Sequence, residues 1–192
     1  MSDVSLVGGK NASLGEMIGQ CLVIGYGNSL RSDDRVGVEV AQIVADWDFP
    51  QVRSLNVPQL TPELSMELAL VDLAIFVDAY AARVGDQVKM LQIESSSFIG
   101  FRSHFGDPRA LLSLTQALFG RCPQAWWVLV PGINFELGDC DYEASPNQGF
   151  SRMYSVSCRH CLTPTAQQGI EQASNMVRNL LDNFEVRRSI NN

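Results

Sequence analysis

Positive charge is scarce in this chain: 14 lysines and arginines stand against 21 acids, giving a net charge of −7 and a pI near 4.7. A surface of that sign on average repels both a nucleic-acid backbone and an anionic bilayer, so no nucleic acid and no membrane is expected among its partners. Apolar runs of the ~18 to 20 residues needed to span a bilayer are missing. The first residues also lack the basic n-region and continuous apolar core of a secretory signal, so the expected location is cytoplasmic. Histidine occurs only twice, at His104 and His160. Cysteine occurs five times at irregular spacing, an odd number that argues for thiols or a metal site over a disulfide framework. The signatures G-x-S-x-G, H-E-x-x-H and the P-loop are all absent, which removes the commonest hydrolase and nucleotidase readings.

What remains is an ordinary globular composition. With 192 residues, 46% of them hydrophobic and 18% charged, the chain is long enough for one domain with a real core. The stretch that organises it is Cys21 to Val40, CLVIGYGNSLRSDDRVGVEV. An apolar run stops at Gly25-Tyr26-Gly27-Asn28, Asp33 and Asp34 follow, and Val36, Val40, Ala41, Ile43 and Val44 then recur at helical spacing. Strand, glycine turn and helix start are the opening of many α/β folds, whose ligands gather at the carboxyl ends of the strands. Asn28, Asp33 and Asp34 are therefore candidate site residues. One plain alternative for the acids is that they favour the positive end of the helix dipole, which needs only one of them.

Further along, Val52 to Val57 reads as a second strand, and Thr61-Pro62 as the cap and first position of a helix over Glu63 to Val71. Leu73 to Val77, bounded by Asp72 and Asp78, is the unbroken apolar run of a strand covered on both faces. Gln87 to Ile93 alternates and suits a strand nearer an edge. A polar loop, Ser95 to Asp107, holds His104 and leads into a helix from Pro108 to Phe119. Ala125 to Val130 supplies a further strand, and Thr163-Pro164 opens a last helix. The order βαβαββαβα predicts an α/β fold, a three-layer α/β/α sandwich with a twisted, mostly parallel sheet of about five strands. Residues 1–19 read as an N-terminal extension, 20–185 as a single domain with a loop insertion at 139–161, and 186–192 as a tail.

Three constellations compete for the chemistry. A dinucleotide site at Gly25-Tyr26-Gly27 would need a third glycine where Leu30 stands, and would bring pyrophosphate against two carboxylates. A metal or proton-transfer site could draw on Asp34, Asp33 and His104, since a carboxylate and an imidazole make half a shell for a transition metal; a loop histidine that is simply solvated is the plain alternative. Cys158-Arg159-His160-Cys161 has zinc-ligand spacing, with Cys140 upstream, but it is a single knuckle and reads equally as free thiols.

Residues 25–37, GYGNSLRSDDRVG, resemble the N-terminal signature of the hydrogenase maturation proteases, G-x-G-N-x-L-x-x-D-[DE]-x-x-G. Later segments are similar too: His104 ahead of a Pro-initiated helix, Leu118-Phe119-Gly120-Arg121-Cys122-Pro123, Phe135-Glu136-Leu137-Gly138, and Leu162-Thr163-Pro164. The resemblance implies an endopeptidase that removes the C-terminal extension from the precursor of the hydrogenase large subunit once nickel has been inserted. It implies nickel carried by the substrate and used for recognition, with no permanent cofactor. Asp34 and His104 match metal-contacting positions and would be the catalytic residues. Pro58-Gln59-Leu60 resembles the variant found in proteases of bidirectional Hox-type hydrogenases, so Gln59 becomes the nearest counterpart of a further metal contact, with an amide weaker than a carboxylate. Gly25, Gly27, Asn28, Asp33 and Gly37 would support the turn. Metal-assisted and aspartate-type hydrolysis both remain open. The alternative is a catalytically impaired relative that binds precursor or nickel without cleaving. Separately, Val7-Gly8-Gly9-Lys10-Asn11-Ala12-Ser13-Leu14-Gly15-Glu16-Met17 resembles the opening of phosphoenolpyruvate synthase, which nothing later in the chain continues.

Overall fold

A computed structural model describes residues 20–83, 85–95, 106–137 and 162–190, with side chains to Phe184 in the last stretch. Five strands form one sheet: β1 (Cys21–Tyr26), β2 (Val52–Val57), β3 (Leu73–Ala81), β4 (Lys89–Ile93) and β5 (Gln124–Gly132). Their spatial order is β2-β1-β3-β5-β4. All neighbours run parallel except β4, which pairs antiparallel with β5 along one edge. The predicted α/β architecture and strand count therefore hold, and the alternating strand from Gln87 is indeed an edge.

Side-chain alternation assigns each residue of a strand to one of two cores. On one face Val23, Ile75, Val77, Val128 and Val130 meet α1 (Val36–Ala45) and α4 (Pro164–Ile190), through residues such as Val40, Ala173, Val177 and Leu181. On the other, Leu22, Ile24, Tyr26, Ala74 and Phe76 meet α2 (Leu64–Leu68) and α3 (Pro108–Phe119), through Leu64, Leu68, Leu111 and Leu112. Leu73 to Val77 are fully buried, as a strand covered on both sides must be. The β3 strand continues past this run to Ala81, so Asp78 is inside the strand and not beyond its end.

Local sequence explains where the helices start and stop. Asp107 caps α3, accepting the Arg109 N–H at 2.9 Å, Pro108 occupies the first turn, and Gly120 closes the helix with φ of 69°. The α2 helix is shorter than the Glu63–Val71 expectation, with single-turn bonds on both sides of Leu64–Leu68. The α1 helix can lie on β1 only because both contacting residues are bare. A Cβ on Gly25 would come within 1.9 Å of the Gly37 carbonyl oxygen, and one on Gly37 within 2.4 Å of the Val77 oxygen.

Candidate active site at the β1–β3 crevice

From β1 the chain passes to β2 on one side and then returns to β3 on the other. That reversal opens a crevice beyond the carboxyl ends of β1 and β3, the place where open α/β sheets hold their ligands. The turn after β1 closes over it. Gly27 has φ of +140°, and a Cβ there would lie 1.9 Å from the Asp34 carbonyl oxygen, so the backbone passage is open to glycine alone. Asn28 then folds the turn on itself: its Oδ1 accepts the Leu30 N–H at 2.9 Å, and its own carbonyl accepts the Arg31 N–H at 2.9 Å.

Asp33 and Asp34 lie in a 3-10 turn, Ser32–Arg35, that leads into α1. Neither serves as a side-chain cap of that helix. The Asp33 side chain is fully buried and has four donors. The Ile133 N–H at 2.8 Å, the Asn134 N–H at 3.0 Å and the Thr163 hydroxyl at 2.8 Å reach its Oδ2, and the Thr163 N–H reaches its Oδ1 at 2.8 Å. Asp33 thus fastens the turn to the end of β5 and to the start of α4, a wider task than the local turn and helix-start support the sequence indicates.

Asp34 is arranged differently. It is half-buried, and its Oδ2 accepts the Asn28 N–H at 2.8 Å. Its Oδ1 has no hydrogen-bond partner among the described residues, which leaves one carboxylate oxygen available to a ligand.

A second acid stands at this rim, one that the sequence marks only as a strand boundary. Asp78 follows Val77 on β3, and Val77 is the register partner of Gly25 on β1. Burial is the largest cause that lifts the Asp78 carboxyl to about 7, and the negative charge of Asp34 acts in the same direction. The Tyr26 hydroxyl and the Ala79 N–H, which donates to Oδ1 at 2.8 Å, pull the other way. Tyr26 shares this face of the sheet. Burial first, then the Asp78 charge, hold its phenol well above the ordinary range, so it remains protonated. Its hydroxyl lies within hydrogen-bond distance, 3.3 Å, of the Gly106 carbonyl. The signal that could have exposed Asp78 is an acid at the carboxyl end of a fully apolar strand.

The other predicted residues fare unequally. Gln59 is exposed, two residues past the end of β2, and Tyr26 and Val57 are register partners, so it too belongs to the carboxyl edge. His104 lies outside the described residues, as do Cys140, Cys158, His160, Cys161 and the N-terminal segment. A parallel strand ahead of His104 would lead the chain to this rim, but β4 is antiparallel and its last residue, Ile93, pairs with Ala125 near the start of β5. The rim is reached instead at Gly106, just before α3. Among the described residues no group of three His, Cys, Asp or Glu is placed to hold a metal ion. Among them, too, no helix is long and apolar enough to cross a membrane.

No protein-family model and no curated protein matches the chain by sequence. Solved structures do match its fold. The hydrogenase maturating endopeptidase HybD from E. coli superimposes with a TM-score of 0.61 at 22% identity, covering 85% of this chain and 93% of its own. The [NiFe] hydrogenase maturation protease HycI from Thermococcus kodakarensis KOD1 gives 0.58 at 18% identity, over 85% of this chain and 92% of its own. The hydrogenase 2 maturation peptidase from Thaumarchaeota archaeon SCGC_AB-539-E09 gives 0.56 at 16% identity, over 85% and 98%. At these identities the likeness establishes a common fold.

Proposed function

We propose that this chain is an endopeptidase that removes the C-terminal extension from the precursor of a nickel–iron hydrogenase large subunit, with nickel arriving as part of the substrate. The observation that carries the reading is the meeting of Asp34 and Asp78 at the β1–β3 crevice, in a fold shared with hydrogenase maturation proteases. Two carboxylates are too few to enclose a cation, and they suit one whose remaining ligands come from the precursor. Asp34 presents its open Oδ1 to that cation or to the attacking water. His104 and the more weakly ligating Gln59 are the further contacts in this reading, and Hox-type hydrogenase is its preferred client.

The two acids divide the proton work. Asp78, with its carboxyl near 7, holds a proton for part of the time at neutral pH, beside the negative charge of Asp34. A pair held in different protonation states can take a proton from water and return one to the leaving amine. Tyr26 stays protonated and supports Asp78 without acting as a base. A substrate-held cation would polarise the scissile carbonyl.

The test is incubation of the purified chain with nickel-loaded and nickel-free precursor, followed by the length of the large subunit. Shortening of the loaded form alone supports the reading. A stable complex without shortening assigns the chain as a non-cleaving binder instead, and cleavage of unrelated peptides with added metal assigns a general metallopeptidase.

A further inference from the structure

We infer that Thr163, the residue that opens α4, is a positioning residue for Asp34 and acts on it through the Asp33 carboxylate. The inference rests on the proposed role of Asp34. Thr163 gives Asp33 two hydrogen bonds, from its N–H and its hydroxyl, each at 2.8 Å. Asp33 is fixed at its main chain as well, since its N–H donates to the Asn134 carbonyl at 2.9 Å. The bare backbone of Gly132 lets the end of β5 come close to this residue: a Cβ on Gly132 would stand 3.0 Å from the Asp33 Cβ.

Asp34 follows directly in the same 3-10 turn, and its freedom is closed off from both sides. Its N–H donates to the Arg31 carbonyl at 2.8 Å, and its own carbonyl presses against the bare backbone of Gly27. With the main chain held, one bond among the described residues aims the side chain, from the Asn28 N–H to Oδ2 at 2.8 Å. The direction of the Asp34 carboxylate is therefore set by a series of short bonds that begins at Thr163, 130 residues away in the chain from Asp33. Loss of the Thr163 hydroxyl leaves Asp33 Oδ2 with only the two N–H groups of Ile133 and Asn134, both on one side of it. Asp33 is then drawn toward β5, and the turn that carries Asp34 rotates with it. Misplacement of a reacting group by about 1 Å is enough to cost on the order of a hundredfold in rate.

Thr163 has a second, purely local task, because its Oγ1 also accepts the Ala166 N–H at 3.3 Å within the first turn of α4. The experiment must separate the two. Thr163→Val keeps the shape and removes the hydroxyl, and Thr163→Ser keeps the hydroxyl. The Asn28 amide resonance reports the Asp34 carboxylate, identified by its displacement in Asp34→Asn, and the Ala166 amide reports the cap. We expect Thr163→Val to move the Asn28 resonance and Thr163→Ser to restore it. Processing of nickel-loaded precursor should fall about tenfold or more in kcat at unchanged KM in the valine variant and recover to within about twofold in the serine variant. An Asn28 resonance that stays in place while that of Ala166 moves would reduce Thr163 to a helix cap and overturn the inference. The resonance needs no cleavage, so it decides the matter even if the precursor proves not to be a substrate.

Discussion

The two faces of the sheet are built to different purposes. Against α1 and α4 the fully buried residues are aliphatic, among them Val36, Val40, Val77, Val130, Ala173 and Val177, and α4 is laid along the layer. On the α2–α3 face neither helix approaches the 27 residues of α4, and the core of that face ends at the carboxyl edge in Tyr26 and Asp78. Two neighbouring acids mark the boundary. Asp33 directs its carboxylate to α4 and β5 and spends it wholly on hydrogen bonds, whereas Asp34, near Asp78, has one oxygen without a hydrogen-bond partner among the described residues. Burial makes the difference: a carboxylate with four donors and no solvent is a structural tie, and one half in water beside another acid is available for chemistry.

The largest expected effect tests the open acid. Asp34→Ala should lower precursor processing by about 10²–10⁴-fold, the range for loss of an acid–base group, with little change in the melting temperature. Product length after incubation with nickel-loaded precursor is the readout, and near-normal processing would remove Asp34 from the mechanism.

The tie should respond in the opposite sense. Asp33→Ala leaves four donors facing an empty, dry space, which costs on the order of 3–5 kcal/mol of folding stability. Urea unfolding measures it. If Asp33→Ala lost activity while keeping full stability, the division between the two acids would fail.

Asp78 allows a test by pH. Its folded carboxyl lies near 7 against an ordinary 3.8, so the stability tied to its protonated form is fully present below about 3.8 and is lost as pH rises through 7. Asp78→Asn carries no such penalty and should gain on the parent by about 2–4 kcal/mol between pH 4 and pH 8, at about 1.4 kcal/mol per pK unit. Metal-free samples with chelator, unfolded in urea at both pH values, would show it. A difference independent of pH would mean that Asp78 is not held in this state.

The smallest effect belongs to the α1–α4 face. The Arg178 guanidinium lies 4.6 Å from the centre of the Trp47 ring, and Arg178→Gln should cost about 0.5–1 kcal/mol by thermal unfolding and leave processing untouched.

Much of this architecture is legible in the sequence because burial imposes its period directly. Leu73 to Val77 is apolar at every position and forms the strand covered on both faces, and the Pro108 and Gly120 boundaries of α3 follow from backbone chemistry that no tertiary contact overrides. The crevice was legible through the glycine turn. Asp78 was not, because an acid next to an apolar run is also what ends a strand, and only the register of β1 with β3 puts it beside Asp34. The clamp of Asp33 on Thr163 could not be read either, since it joins residues far apart in the chain through a contact with no periodic trace.

The neighbours Trp126 and Trp127 give β5 a further property. Trp126 packs against the α1–α4 core and Trp127 against the α2–α3 core, and the indole nitrogen of each is buried, that of Trp126 without a hydrogen-bond partner among the described residues and that of Trp127 facing Tyr26. The chain has three tryptophans, and the third, Trp47, shares the core of Trp126. Intrinsic fluorescence is thereby sorted by side. With Trp47 and Trp126 replaced by phenylalanine, emission comes from the chemical half alone, and a spectral shift on adding precursor or nickel would report on that half without any attached dye.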